Sequence, residues 1–94
     1  MLQFEWDPKK SNANKKKHGV SFKEAIQLWN GPHLTVDSIA KSEDGEERGA
    51  TIGFLANELY TAIWTKRKNK RRLISVRRSR DGEKKVFWNK IQNF

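Results

Sequence analysis

Glu47, His18, Lys17 and a set of arginines are the residues whose types could do chemistry on a phosphate. Glu46-Glu47-Arg48 enters a β-prone stretch. A carboxylate there, facing basic residues, could act as a base while Arg48 binds phosphate; equally, Glu46 and Glu47 could simply neutralise neighbouring arginines. His18 follows Lys17 and precedes Gly19. It could exchange protons near neutral pH, or it could cap a helix end through the free carbonyls and the dipole. Arg67, Arg72 and Arg77 carry planar forks that grip phosphate bidentately and stay charged. Two histidines fifteen positions apart, no cysteine and no acidic cluster of ligand spacing give no zinc or magnesium signature. Neither a glycine-rich phosphate loop nor a serine-nucleophile motif is present. Any catalysis is therefore expected to be metal-free. In RNA that chemistry has a natural form. A base takes the proton of a 2′-hydroxyl, which attacks its own phosphate; arginines stabilise the phosphorane, and an acid protonates the leaving 5′-oxygen. Proton transfer contributes about 10²–10⁴-fold and single oriented donors about 10²–10³-fold. DNA lacks the internal nucleophile, so a site of this type favours RNA.

The charge distribution points the same way. Residues 1–47 carry 7 Lys against 8 Asp and Glu, a balance of −1, whereas residues 48–94 carry 13 Lys and Arg against 3 acids, a balance of +10. Residues 66–72 read Lys-Arg-Lys-Asn-Lys-Arg-Arg, and Arg77-Arg78-Ser79-Arg80 follows after a short apolar stretch. Such a one-sided field attracts polyanions. A non-catalytic nucleic-acid binder, or a module that docks an acidic protein, would use the same basic face.

The elements that must position these residues fit one domain spanning residues 1–94, since a chain this short supports a single modest core. Apolar content is 35%, yet four Trp and five Phe supply large buried areas. The N-terminus lacks the basic start and apolar stretch of a signal peptide, and no apolar run approaches the roughly 20 residues needed to span a bilayer. A cytoplasmic protein without a membrane partner is the expectation. An extended stretch with Leu2, Phe4 and Trp6 in alternation precedes a helix start at Asp7-Pro8. Residues 9–17 are almost wholly polar, so that first helix should be short and exposed, with Gly19 as its C-terminal cap. Ser21 and Glu24 form a capping box, and Phe22, Ala25, Ile26 and Trp29 form the stripe of a second helix that stops at Asn30-Gly31-Pro32. Residues 34–36 form a short strand candidate, followed by a polar loop over 41–45. Residues 46–54, 58–66 and 72–77 read as longer strands, joined by turns at Ala56-Asn57 and at Lys68-Asn69-Lys70. Ile63-Trp64 and Leu73-Ile74 put apolar residues on both faces, which suggests a sheet at least partly covered on both sides. Asp81 can cap a last helix in which Phe87, Ile91 and Phe94 share a face. The expected class is α+β: two N-terminal helices, an antiparallel meander of three to four strands and a C-terminal helix. Residues 72 and 77 differ in parity, so Arg72 and Arg77 face one site only if the strand bulges, twists or ends between them.

At this point the residues carry a resemblance. Asp7-Pro8-Lys9-Lys10, Asn14, and Lys17-His18-Gly19-Val20-Ser21-Phe22-Lys23-Glu24-Ala25 resemble the N-terminal signature of BrnT-type toxins. Glu46-Glu47-Arg48 with Thr51-Ile52-Gly53 resembles that family's central strand. Thr65-Lys66-Arg67 and Arg72-Leu73-Ile74-Ser75-Val76-Arg77 resemble its hairpin and strand end, with Val76 in place of the usual alanine. The resemblance implies a ribonuclease toxin of a type II toxin–antitoxin system with a RelE-like fold. It implies cleavage of RNA without cofactor or metal, and silencing by a DNA-binding antitoxin of the BrnA type, whose complex with the toxin binds operator DNA. Carried onto this chain, Lys17, His18, Glu47, Arg48, Arg67, Arg72 and Arg77 fall on the family's polar positions. Arg67, Arg72 and Arg77 are then the expected phosphate contacts, Glu47 the base, and Lys17 or His18 the proton-transfer or orienting groups. Arg48 with Lys68, Lys70, Arg71 and Arg78 would attract RNA more generally. Two departures stand out. The family's Glu…Tyr pair is Glu83…Phe87 here, so a hydroxyl is lost while packing survives. Residues 78–82 differ from the usual Lys-Ala-Thr, which moves the expected helix cap to Ser79 or Asp81, and Gly82 weakens the helix start.

Overall fold

The computed structural model describes residues 2–41 and 46–92, with residues 38–41 described by their backbone alone. The chain opens on a strand, β1 (Gln3–Glu5), followed by α1 (Pro8–His18) and α2 (Phe22–Ala25), which tightens into a 3-10 turn over Ile26–Trp29. The strands β2 (His33–Lys41), β3 (Glu47–Leu55), β4 (Glu58–Arg67) and β5 (Lys70–Arg78) come next, and α3 (Asp81–Gln92) ends the described chain. The α+β class is as expected, but the arrangement is not. A strand precedes the helices, and the sheet has five strands in the order β1-β5-β4-β3-β2. It is mixed rather than antiparallel throughout, because β1 runs parallel to β5. A three-residue strand whose partner lies far along the chain carries no pairing signal of its own. Beyond Lys41 the expected polar loop falls outside the described residues, as does Phe94.

Local signals set the helices. The Asp7 carboxylate accepts the Lys9 N–H at 2.9 Å, Pro8 opens α1, and Gly19 closes it with φ of 77°. The helix has almost no apolar face and is held by two buried polar side chains instead. Ser11 Oγ accepts the Phe22 N–H at 2.9 Å. Asn14 donates to the carbonyls of Val20 and Val76, both at 2.8 Å, and accepts the Val76 N–H at 3.2 Å. Because β1 covers only Lys70, Arg71 and Arg72 of β5, Asn14 satisfies the strand edge that a longer β1 would have paired. In α2 the capping box forms between Ser21 and Glu24. Lys15 adds an ion pair at 2.8 Å. The lysine and the Ser21 backbone and hydroxyl hold the Glu24 carboxyl at about 2. The 3-10 winding, three residues per turn, aligns Phe22, Ala25 and Leu28 as the fully buried positions. Ile26 and Trp29 of the expected stripe are only partly buried.

The sheet is covered unequally. On one face Ala62, Trp64, Leu73 and Val76 pack beneath Val20, Phe22, Ala25 and Leu28. On the other, Ile52 and Leu59 meet Phe87 of α3, with Leu34, Phe54 and Ile91 around them. Ala56 and Asn57, with φ of 51° and 66°, make the tight turn between β3 and β4. A bulge decides the parity question. Ile63 pairs with Ser75 and Trp64 with Leu73, leaving Ile74 as the extra residue. Arg72 therefore stands opposite Thr65 and Arg77 opposite Thr61, which share a face of β4, so the two arginines share that face as well.

Candidate active site

Glu47 and Arg48 open β3, Lys66 lies near the end of β4, and Arg71 near the start of β5. Arg48 pairs with Thr65 and Lys66 with Arg71, so the row through Glu47, Lys66 and Arg71 crosses three strands. A cleft of about 230 Å³ lies here, lined by Asp37, Glu47, Arg48, Gly49, Trp64, Lys66 and Arg71. Thr65 Oγ1 donates to the Glu47 carbonyl at 2.8 Å and fixes the backbone that carries the carboxylate.

Trp64 builds the wall. Its ring lies so close over Gly49 that a Cβ on that residue would collide with the ring carbons. Its Nε1–H donates to Thr51 Oγ1 at 3.0 Å, and Thr51 is hydrogen-bonded in turn to Thr35 at 2.9 Å. The Arg71 guanidinium stacks on this ring, 4.0 Å from its centroid. Arg71 Nε is buried without a hydrogen-bond partner, and no carboxylate pairs with Arg71 among the described residues. An arginine held by a ring keeps its charge available to an anion.

The three arginines expected to contact phosphate are placed differently. Arg67 pairs with Glu46 at 3.0 Å and Arg72 with Glu5 at 2.8 Å. Arg77 makes a bidentate pair with Glu83, at 2.8 and 2.9 Å, and both side chains are largely buried. The same carboxylate accepts Thr61 Oγ1 at 3.0 Å and the Arg80 N–H at 2.7 Å. Arg77 foremost, and then those donors, hold the Glu83 carboxyl at about 2 against burial, while Glu83 raises the Arg77 guanidinium. Ser79, a suggested helix cap, is hydrogen-bonded to Thr61 at 2.8 Å. The first helical bond of α3 runs from the Lys84 N–H to the Arg80 carbonyl, so Arg80 takes the cap position.

Lys17 and His18 line a different hollow, with Lys10, Ala13, Asn14, Ile74 and Ser75, and do not share the Glu47 cleft. Arg78 pairs with Glu58 at 2.9 Å at the opposite end of β4 from Lys66. Lys68 and Lys70 line a hollow at the hairpin with Leu2, Lys66, Asn69 and Arg71. Lys66 and Arg71 belong to both hollows, so the cleft continues into the hairpin as one basic trough. Asp37, Lys66 and the Gly49–Trp64 contact were not singled out from sequence. Lys66 was visible inside the basic run. The Gly49–Trp64 pairing carries no local signal, since it depends on the register of β3 against β4.

A family model described as the ribonuclease toxin BrnT of type II toxin–antitoxin systems matches residues 6–83. The chain belongs to this family. No characterised protein matches it significantly. Membership makes the chain the toxin of such a system, a ribonuclease with RNA as its target and a cognate antitoxin as its partner. The matched span includes Glu47, Lys66, Lys68, Lys70 and Arg71 of the trough and ends at Glu83, the partner of Arg77. Phe87, where the family resemblance led us to expect tyrosine, is fully buried and meets Phe54 edge-on at 5.5 Å, a packing role. Among the described residues no helix is long and apolar enough to cross a membrane.

Proposed function

We propose that this BrnT-family toxin is a metal-independent endoribonuclease, acting in the cytoplasm, whose chemistry is centred on the Glu47 cleft. The observation that carries this reading is the convergence of Glu47, Lys66 and Arg71 on one cleft, with Arg71 held by Trp64 rather than by a carboxylate. Glu47 takes the proton of the 2′-hydroxyl, and the 2′-oxygen forms its bond to phosphorus as the bond to the 5′-oxygen breaks. Arg71 and Lys66 take the charge that builds on the phosphorane, where preorganised donors are most effective. The Lys66 ammonium gives its proton to the leaving 5′-oxygen. The products are a 2′,3′-cyclic phosphate and a 5′-hydroxyl. Arg48 and the hairpin cations Lys68 and Lys70 hold the flanking backbone. Arg72, Arg67, Lys17 and His18 belong to outer contacts with RNA, and Arg77 to the framework. RNA cleavage inhibits translation and growth, and a DNA-binding antitoxin of the BrnA type restores it, its complex with the toxin occupying operator DNA. A RelE-like fold agrees with a small antiparallel core flanked by helices.

The test is RNA cleavage in EDTA by the toxin expressed without its antitoxin, compared with Glu47→Gln. Cyclic phosphate ends from the wild type and intact RNA from the variant are expected. Intact RNA after long incubation with the wild type would leave a non-catalytic nucleic-acid binder.

A further inference from the structure

We infer that the apolar groove between α3 and the sheet is the docking site of an acidic, amphipathic segment of the cognate antitoxin. The groove, about 520 Å³, lies on the face of the sheet that α3 covers only in part, and Val36, Ala50, Ile52 and Val86 line it with Arg80 and Glu83. Val36 is 39% and Val86 52% exposed, two of the large apolar side chains this protein leaves in water. Apolar side chains gathered along one groove mark a surface made for a partner. β2, which carries Val36, is an edge strand, so the groove also adjoins backbone groups open to pairing.

Charge selects the occupant. Glu83, the one carboxylate among the described residues that line the groove, is already paired with Arg77. Arg80 lines the groove, and α3 beside it is net basic on its exposed surface, Lys84, Lys85 and Lys90 against Asp81. An apolar floor in a basic frame fits apolar side chains flanked by acids. A second copy of the chain would bring +9 against +9 and is repelled. RNA would satisfy the frame but not the floor. The groove and the Glu47–Lys66–Arg71 row lie on opposite faces of the sheet, so this interface is separable from the cleft. The inference rests on toxin–antitoxin membership and not on the cleavage mechanism.

The test measures binding of the full toxin to the purified antitoxin encoded beside it, for wild type, Val86→Asp, Val36→Asp and the milder Val86→Ala. The aspartates are expected to weaken binding by about tenfold or more, as truncated anchors of an interface do, and Val86→Ala by less. Melting temperature and cleavage by the free toxin should stay at wild-type values. Arg80→Glu should slow association, most at low salt. Wild-type affinity in both aspartate variants overturns the proposal. So does a parallel loss of RNA affinity, which would make RNA the occupant, or conversion of a dimer to a monomer, which would make it a second copy. If Val86→Asp melts early, Val86→Ala decides: unchanged affinity in that folded variant also overturns the proposal. A wild-type toxin that binds antitoxin but cuts no RNA would refute the mechanism while leaving this interface intact.

Discussion

Glu47 and Arg71 are where single atoms should matter most. Glu47→Gln keeps shape and removes the base, so cleavage should fall by about 10²–10⁴-fold with the melting curve unchanged. Single-turnover rates with far-UV spectra check this, and a Gln variant that still cuts at the wild-type rate removes Glu47 from the mechanism. Arg77→Ala should behave in the opposite way. Its side chain is 19% exposed and its guanidinium is bound by both oxygens of Glu83, so the loss should appear as a lower melting temperature, with cleavage per folded molecule retained. Full fold with abolished cleavage would return Arg77 to the site. Gly49→Ala would drive a methyl into the Trp64 ring. Overpacking of this kind costs about 1–3 kcal/mol and here would also displace the platform under Arg71. A combined loss of stability and rate in that variant is the measurable outcome.

At the scale of elements, α3 is fastened by one carboxylate. Glu83 meets Arg77, Thr61 and the Arg80 N–H together. Its carboxyl is lowered from 4.5 to about 2, so the stabilisation is complete above the unfolded value and is lost as pH falls from there toward 2. Stability should therefore drop in that window. Glu83→Gln should flatten that dependence and cost about 1–3 kcal/mol at neutral pH, in the range of charged hydrogen bonds. Urea melts of both proteins between pH 6 and roughly 2 test the sign, and an equally steep decline in the variant would place the acid sensitivity elsewhere. Glu24 shares the direction through Lys15, but it is solvent-exposed and salt screens it. The ends of α1, the capping box of α2 and both tight turns were legible because each depends on residues within four positions, whereas the cap of α3 fell to Arg80 because Ser79 is engaged by Thr61 across the sheet. The 3-10 winding that buries Leu28 in place of Ile26 was not, since it is a response to the sheet beneath.

For the whole molecule, charge and topology act together. The trough of Lys66, Arg71, Lys68 and Lys70 should make RNA affinity fall steeply with salt, by about 0.7 in the log–log slope for each phosphate neutralised on a single strand. Arg71→Ala should reduce that slope by about one such contact. An unchanged slope would show that RNA does not reach Arg71.

By itself the sequence determined what depends on composition and neighbours: the α+β class, the caps of the first two helices, the basic half of the chain and the family, with Glu47 as a candidate base. Tertiary structure decided which cations face that carboxylate. The bulge at Ile74 turns Arg72 and Arg77 to one face, and carboxylates on β1 and α3 then occupy them. Arg71, one residue away, is turned instead to the face where Trp64 and Glu47 line the cleft. A single-residue shift of register reverses the face a side chain takes, and register is set by strands distant in the chain. The six basic residues of the run 66–72 therefore look alike in sequence and part company only in the sheet.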